Sequence, residues 1–242
     1  MTEWFSDLKA EFILNFIDDN RWRYMWKGLG VTLEVTFFAL ILGICIGILV
    51  AIIRSTHDKT IDTMQPGVGR FFLRFFNVIC KFYLTVIRGT PVVVQLLISY
   101  FIIFASSKNG VLIAILTFGI NSGAYVAEIF RSGIMSIDVG QMEAGRSLGF
   151  NYIQTMRHII IPQAFKNVLP ALMNEFITLM KETSVAGYVS IQDLTKGADI
   201  IRGRTFSAFM PLIAAALIYL LLVMFFTWLV GKLERRLRNS DH

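Results

Sequence analysis

Residues Leu29–Ile53 read LGVTLEVTFFALILGICIGILVAII, an apolar run whose single charge, Glu34, lies near one end. A helix needs about 20 such residues to cross the hydrocarbon core of a bilayer. A second run, Phe206–Leu233, carries no charge before Lys232. The whole chain of 242 residues is 55% hydrophobic, with a mean hydropathy of +0.61. A soluble domain of this length is rarely so apolar. The sequence is that of an all-α polytopic membrane protein.

Working outward from that first run places five transmembrane helices. The first is Leu29–Ile53, where Gly43, Gly47 and Ala51 recur at every fourth residue. That repeat allows close helix packing, within the chain or between copies. A polar loop, Arg54–Arg70, follows. Phe71–Ala105 is too long for one simple span and is interrupted by RGTP at Arg88–Pro91. Pro91 disfavours helical geometry at Thr90, so two readings stand there: a true break lining a cavity, or a simple kink. Before it, Arg74, Asn77, Lys81 and Arg88 share one helical face. Val111–Met135 is the third span and Gln163–Val189 the fourth. The loop SIQDLTKGADIIRGRT, from Ser190 to Thr205, leads to the fifth at Phe206–Leu233. Residues 1–27 read as an amphipathic helix on the external surface, with Trp4, Phe5, Leu8, Phe12 and Phe16 at helical spacing. They lack the basic start and unbroken apolar core of a signal peptide. Residues 28–236 form the five-helix domain, and 237–242 a cytosolic tail.

Five spans put the termini on opposite sides. With the C-terminus in the cytosol, that side carries 14 basic residues against 8 outside, with Lys181 left inside a span. The positive-inside bias therefore sets the N-terminus outside. The net charge of +6 follows from such topology. No basic patch interleaved with exposed aromatics points to nucleic acid. Cys45 and Cys80 sit apart in apolar stretches, as inert core thiols do. His57, His158 and His242 are dispersed, and no nucleophile has an evident base partner, so neither a metal centre nor a catalytic site is expected.

Between the third and fourth spans lies EAGRSLGFNYIQTMRHIIIP, Glu143–Pro162, a long polar stretch between two apolar ones. Gln141–Leu148 suits a short helix with Glu143 near its positive end. Gly149 supplies turn geometry. Asn151 suits the N-cap of a second helix running to about Ile160, and Pro162 suits the first turn of the next span. Glu143, Ala144, Gly145, Gly149, Ile159, Ile161 and Pro162 fill a pattern that resembles the EAA loop of permease subunits in bacterial ABC importers. More narrowly, the chain resembles the polar amino-acid uptake permeases. Supporting stretches are GLGVTLEVTFFALILG (Gly28–Gly43), RGTPVVVQLLISYF (Arg88–Phe101), GAYVAEIFRSGI (Gly123–Ile134), GQMEAGRSLG (Gly140–Gly149) and LMKETSVAG (Leu179–Gly187), in order from Gly28 to Arg236. Gly145 replaces the usual second alanine and Ile161 the usual leucine.

The resemblance implies a cytosolic coupling-helix loop that docks on an ATPase, with Glu143, Ala144, Gly145, Ser147, Leu148, Gly149 and Phe150 at the contact. It implies two cytosolic ATP-binding subunits, a second permease chain (identical or paralogous), and an extracytoplasmic solute-binding protein. No G-x-x-x-x-G-K-[ST] occurs in the chain, so ATP belongs to a partner and no cofactor is expected here.

Charges within spans cost about 2.5–3.5 kcal/mol each on insertion scales and face a bundle interior or water. Glu128, Glu175, Lys181 and Glu182 meet that condition, and with the polar side chains of Asn121, Tyr125 and Asn174 and the break at Thr90, Pro91 and Gln95 they are candidates for a substrate pathway. The other reading is structural: Lys181 and the glutamates neutralise one another and hold helices in register. Arg131 is expected to snorkel to cytosolic headgroups.

Taken together, the chain reads as the permease subunit of an importer in the bacterial inner membrane, moving a polar amino acid by alternating access. Acidic groups tilt the substrate towards a cationic one. The rival is an ATP-independent secondary transporter or channel, which would have no need of the Glu143–Pro162 spacing.

Overall fold

The computed structural model describes residues 2–238, with side chains from 6 to 237. The expected tail beyond residue 238, including His242, and the side chains of Trp4 and Phe5 lie outside the described residues. Every regular element among the described residues is helical. In chain order these are α1 (Thr2–Phe12), α2 (Trp22–Thr60), α3 (Val68–Gly89), α4 (Val92–Ile98), α5 (Gly110–Met135), α6 (Val139–Ser147), α7 (Tyr152–Thr155), α8 (Ile161–Glu182), α9 (Leu194–Thr205) and α10 (Phe209–Arg238). Helices suit this composition because their backbone donors and acceptors are satisfied within the segment, as a bilayer demands.

Trp22–Thr60, Gly110–Met135 and Phe209–Leu237 are long and apolar enough to cross a membrane. They become four if the bent pair Val68–Gly89 and Val92–Ile103 forms one span. α8 is not among them, because Lys166, Glu175, Lys181 and Glu182 lower its hydropathy.

Several boundaries differ from the sequence reading. α2 begins at Trp22, so the expected division at residues 27 and 28 falls inside it, and it continues to Thr60. No glycine or proline interrupts Arg54–Thr60, and the helix consumes the start of the expected loop. α8 ends at Glu182 and tightens into a 3-10 turn over Thr183–Val189. Much of the expected loop before the fifth span is α9, which Asp193 caps by accepting from the amides of Thr195 and Lys196.

The chain divides into two compact units. The first comprises Met1–Ala39, Val92–Phe118 and Ile177–Trp228. Its core gathers Phe16, Met25, Leu194, Ala198, Ile201 and Ala215. The start of α2 and α9 meet backbone to backbone. A Cβ on Gly28 would lie 2.3 Å from the Asp193 carbonyl oxygen, and one on Gly197 2.5 Å from that of Tyr24. Polar groups around α9 are paired: the Leu194 amide donates to Thr32 Oγ1 of α2 at 3.1 Å, and Thr205 Oγ1 donates to Asn15 Oδ1, in the turn before α2, at 2.8 Å.

The second unit comprises Leu40–Pro91, Gly119–Phe176 and Leu229–His242. Here the small-residue repeat of α2 packs on α5. Gly43 faces Ser122, and a Cβ on Gly47 would come within 2.5 Å of Val126 Cγ1. The repeat is thus a packing device within the chain, as one of its two readings held. α8 joins this packing through Val168 and Leu172 against Val126.

Candidate functional site

The polar stretch that drew attention in the sequence folds as two short helices joined by a fully capped turn. Asp138 starts α6 by accepting from the Gly140 amide at 2.7 Å. At its other end, the Gly149 amide donates to the Arg146 carbonyl at 2.9 Å and the Phe150 amide to the Gly145 carbonyl at 3.0 Å. This is a Schellman arrangement, and it places Gly149 at φ +82°, where glycine has no Cβ penalty. Asn151 then opens α7 with a reciprocal capping box. Its Oδ1 accepts from the Gln154 amide, and Gln154 Oε1 accepts from the Asn151 amide, both at 2.9 Å.

α7 does not stop at Ile160 but runs through a π turn, Met156–Ile160, directly into α8. Pro162 explains the widening: it has no amide to donate to the His158 carbonyl, and its ring crowds that oxygen. The Ile161 amide instead reaches back to Met156. α6 is tied to the base of α8 by Gln163 Nε2 donating to Gln141 Oε1 at 3.2 Å.

Gly145, the departure from the usual alanine, is buried against α7. A Cβ there would lie 2.5 Å from Thr155 Cγ2. The surface opposite carries exposed Glu143, Ala144, Ser147, Leu148, Gly149 and Phe150. Leu148 and Ile153 are 73% and 74% exposed, which marks an apolar surface on a segment that is otherwise polar. A rigid knob with small and apolar residues outward is suited to docking in a protein cleft.

The polar groups of the expected pathway divide between the two units. In the second unit, Gly89 ends α3 and Thr90 is extended (φ −123°, ψ 144°), so RGTP is a break in the helix. Thr90 and Pro91 are exposed there. Asn121 is buried at 3% exposure, while Tyr125 and Asn174 are exposed. Glu128 is bound by Arg88 and lies 3.9 Å from Arg131. Arg88 also sits 5.7 Å from the Tyr125 ring centroid, within cation–π range. Arg131 pairs with Asp58 at 3.3 Å. Half-buried Glu175 accepts from Ser122 Oγ at 2.7 Å. In the first unit, Gln95 is half-buried on α4, Lys181 is exposed and Glu182 half-buried on α8. Neither Lys181 nor Glu182 forms an ion pair among the described residues.

Sequence reasoning missed Ser122, Arg88, Arg131 and Asp58 as partners of these acids. Arg88 and Glu128 are 40 residues apart, beyond any helical periodicity. Ser122 was detectable only as the neighbour of Asn121 on an otherwise apolar turn.

The profile of the family described as binding-protein-dependent transport system inner membrane component matches residues 67–239. The chain belongs to that family. The permease is 36% identical over 221 residues to an arginine transport system permease protein of Bacillus subtilis, covering 90% of this chain and 94% of that one. It is 32% identical over 227 residues to a glutamine transport system permease protein of Escherichia coli, covering 90% and 97%. Its structure matches an amino acid ABC transporter crystallised with histidines at a TM-score of 0.79 and 37% identity, covering 91% of this chain and 98% of that one. A methionine ABC transporter in an inward-facing state shares the fold, with a TM-score of 0.73 at 18% identity, covering 88% and 95%. The matched region contains the whole knob, the helix break at Pro91, the π turn before Pro162, and the Arg88–Glu128 pair. As a family member the permease is a multi-pass inner-membrane protein that works within an ABC transport assembly.

Proposed function

We propose that this permease carries polar amino acids into the cell by alternating access, driven by ATP hydrolysis on partner chains. The observation that carries this reading is the knob at Val139–Ile160, which is doubly capped, rooted in α8 through a π turn, and apolar at its tip. Such a knob passes displacement to α8 without absorbing it. Two cytosolic ATP-binding subunits receive Glu143–Phe150, a second permease chain completes the membrane pair, and an extracytoplasmic binding protein delivers substrate. The protein binds no cofactor of its own.

The arrangement has five spans, counting α3 with α4 as one and α8 as another, with the N-terminus outside and the knob and C-terminus in the cytosol. The basic-residue bias supports it. Spans α5 and α8 supply the polar groups Asn121, Tyr125, Glu128, Asn174, Glu175, Lys181 and Glu182, with Thr90, Pro91 and Gln95 at the break. The acids do not all count towards a cationic substrate, because Glu128 is already paired with Arg88, whereas the Ser122 hydroxyl orients Glu175 without offsetting its charge. The relatives' names, arginine and glutamine, fit a polar amino acid without fixing its charge.

The test is uptake into vesicles containing the permease and its co-purified ATPase. Accumulation that needs internal ATP and ignores proton and sodium gradients supports the reading. Gradient-driven uptake without ATP would replace it with a secondary transporter.

A further inference from the structure

We propose that the cavity walled by α2, α3 and α5 binds the phosphate headgroup of an anionic phospholipid from the leaflet nearest the knob. The cavity measures about 270 Å³ and is lined by Arg54 of α2, Lys81 and Arg88 of α3, and Glu128 and Arg131 of α5. Four cations thus face a single lining carboxylate. Glu128 is occupied by Arg88, and Arg131 is turned towards Asp58. Arg54 and Lys81 have no acidic partner among the described residues. The Nε atoms of Arg54 and Arg131 are buried without an acceptor.

Counting Asp58 with Glu128 still leaves an excess of two positive charges. Uncompensated charge and unpaired guanidinium donors in a half-enclosed site are costly unless an anion completes them. A phosphate matches the guanidinium fork and accepts several hydrogen bonds at once.

Depth and neighbouring surface favour a lipid over a soluble anion. Arg54 is six residues from the end of α2 and Arg131 four from the end of α5, about 9 Å and 6 Å along the helices. That is the depth of headgroups and upper acyl chains. The same helix α3 exposes Phe75, Val78 and Phe82, an apolar surface for acyl chains beside a cationic stripe. Basic pockets between spans on the cytoplasmic side recognise anionic headgroups in this way. The inference rests on the proposed orientation, in which these helix ends are cytosolic.

The purified permease–ATPase complex, exchanged into detergent with equal phosphatidylglycerol and phosphatidylcholine, tests it by native mass spectrometry. The unmodified complex should retain phosphatidylglycerol selectively. The double variant Arg54→Gln with Lys81→Gln should lose about tenfold of that retention, whereas Arg54→Lys with Lys81→Arg should keep it. Excess inorganic phosphate should leave the bound lipid in place. Equal retention of both lipids by the unmodified complex, or undiminished retention by the glutamine pair, overturns the proposal. Displacement by inorganic phosphate assigns the site to a free anion and also overturns it. ATP-driven uptake by the unmodified complex, measured on the same preparation, separates a failure of this inference from a failure of the transport reading.

Discussion

Gly145 and Thr155 meet so closely that a Cβ built on the glycine would stand 2.5 Å from Thr155 Cγ2 and 2.8 Å from its Oγ1. The contact locks α6 on α7 and gives the knob one shape. Gly145→Ala should therefore destabilise the knob by about 1–3 kcal/mol, as overpacking does, and weaken retention of the ATPase. Removing the obstructing branches with Thr155→Ala should recover part of the loss. Co-purification of the ATPase with the single and double variants measures the coupling between the two positions.

The left-handed turn makes a separate demand. Gly149 holds φ +82° with open space around it, so its need is conformational and not steric. Gly149→Ala should cost roughly 1–2 kcal/mol, and Gly149→Asn less, because asparagine tolerates this region. Uptake rates should fall in the order glycine, asparagine, alanine. Equal rates for alanine and asparagine would show that the turn does not depend on this backbone state.

Buried Ser122 donates to half-buried Glu175 at 2.7 Å. A hydrogen bond to a charged group contributes about 1.5–3 kcal/mol. Ser122→Ala should take one hydrogen bond from Glu175 and change KM for uptake more than it changes ATPase co-purification. Ser122→Thr, which retains the hydroxyl, should be milder in KM, although Gly43 lies close by.

Two acids outside the spans respond to pH in opposite senses. Hydrogen bonds from Lys196 and Arg202 hold the Asp199 carboxyl below its ordinary value, so its contribution is present above the ordinary carboxylate range and lost as pH falls through the depressed value. Burial pushes the Asp193 carboxyl up against the amide bonds that lower it, so its effect runs the other way: the folded state holds that proton more tightly, and stability is lost as pH rises through the carboxylate range. Asp199→Asn should flatten the acid side of a Tm-versus-pH curve for the purified protein. A curve unchanged by Asp199→Asn would count against this pairing.

The knob was legible because its signals are local. Asn151 marks an N-cap, Gly149 a C-terminal turn, and Pro162 the base of the next helix; the Gln154 half of the capping box emerged only in the structure. The π turn was not legible, because proline announces a disturbance but not whether the helix breaks or widens. The start of α6 moved to Val139 because Asp138 was not recognised as its cap. α9 was read as a loop because its glycines and charges hid a helix that Asp193 initiates and Tyr24 accommodates. The pairings of Glu128 and Glu175 join distant segments, so the sequence showed the acids and concealed their partners, Arg88 for the first and Ser122 for the second.

The most direct measurement of the central claim is crosslinking from the tip of the knob. With Cys45 and Cys80 replaced by alanine, single variants Leu148→Cys and Phe206→Cys each present an exposed thiol, at positions 73% and 96% exposed in the native chain. The account predicts that a short bifunctional reagent joins Leu148→Cys, and not Phe206→Cys, to the co-purified ATPase subunit, with a yield that changes when ATP is bound. No adduct at Leu148→Cys, or an ATPase adduct at Phe206→Cys instead, would contradict it.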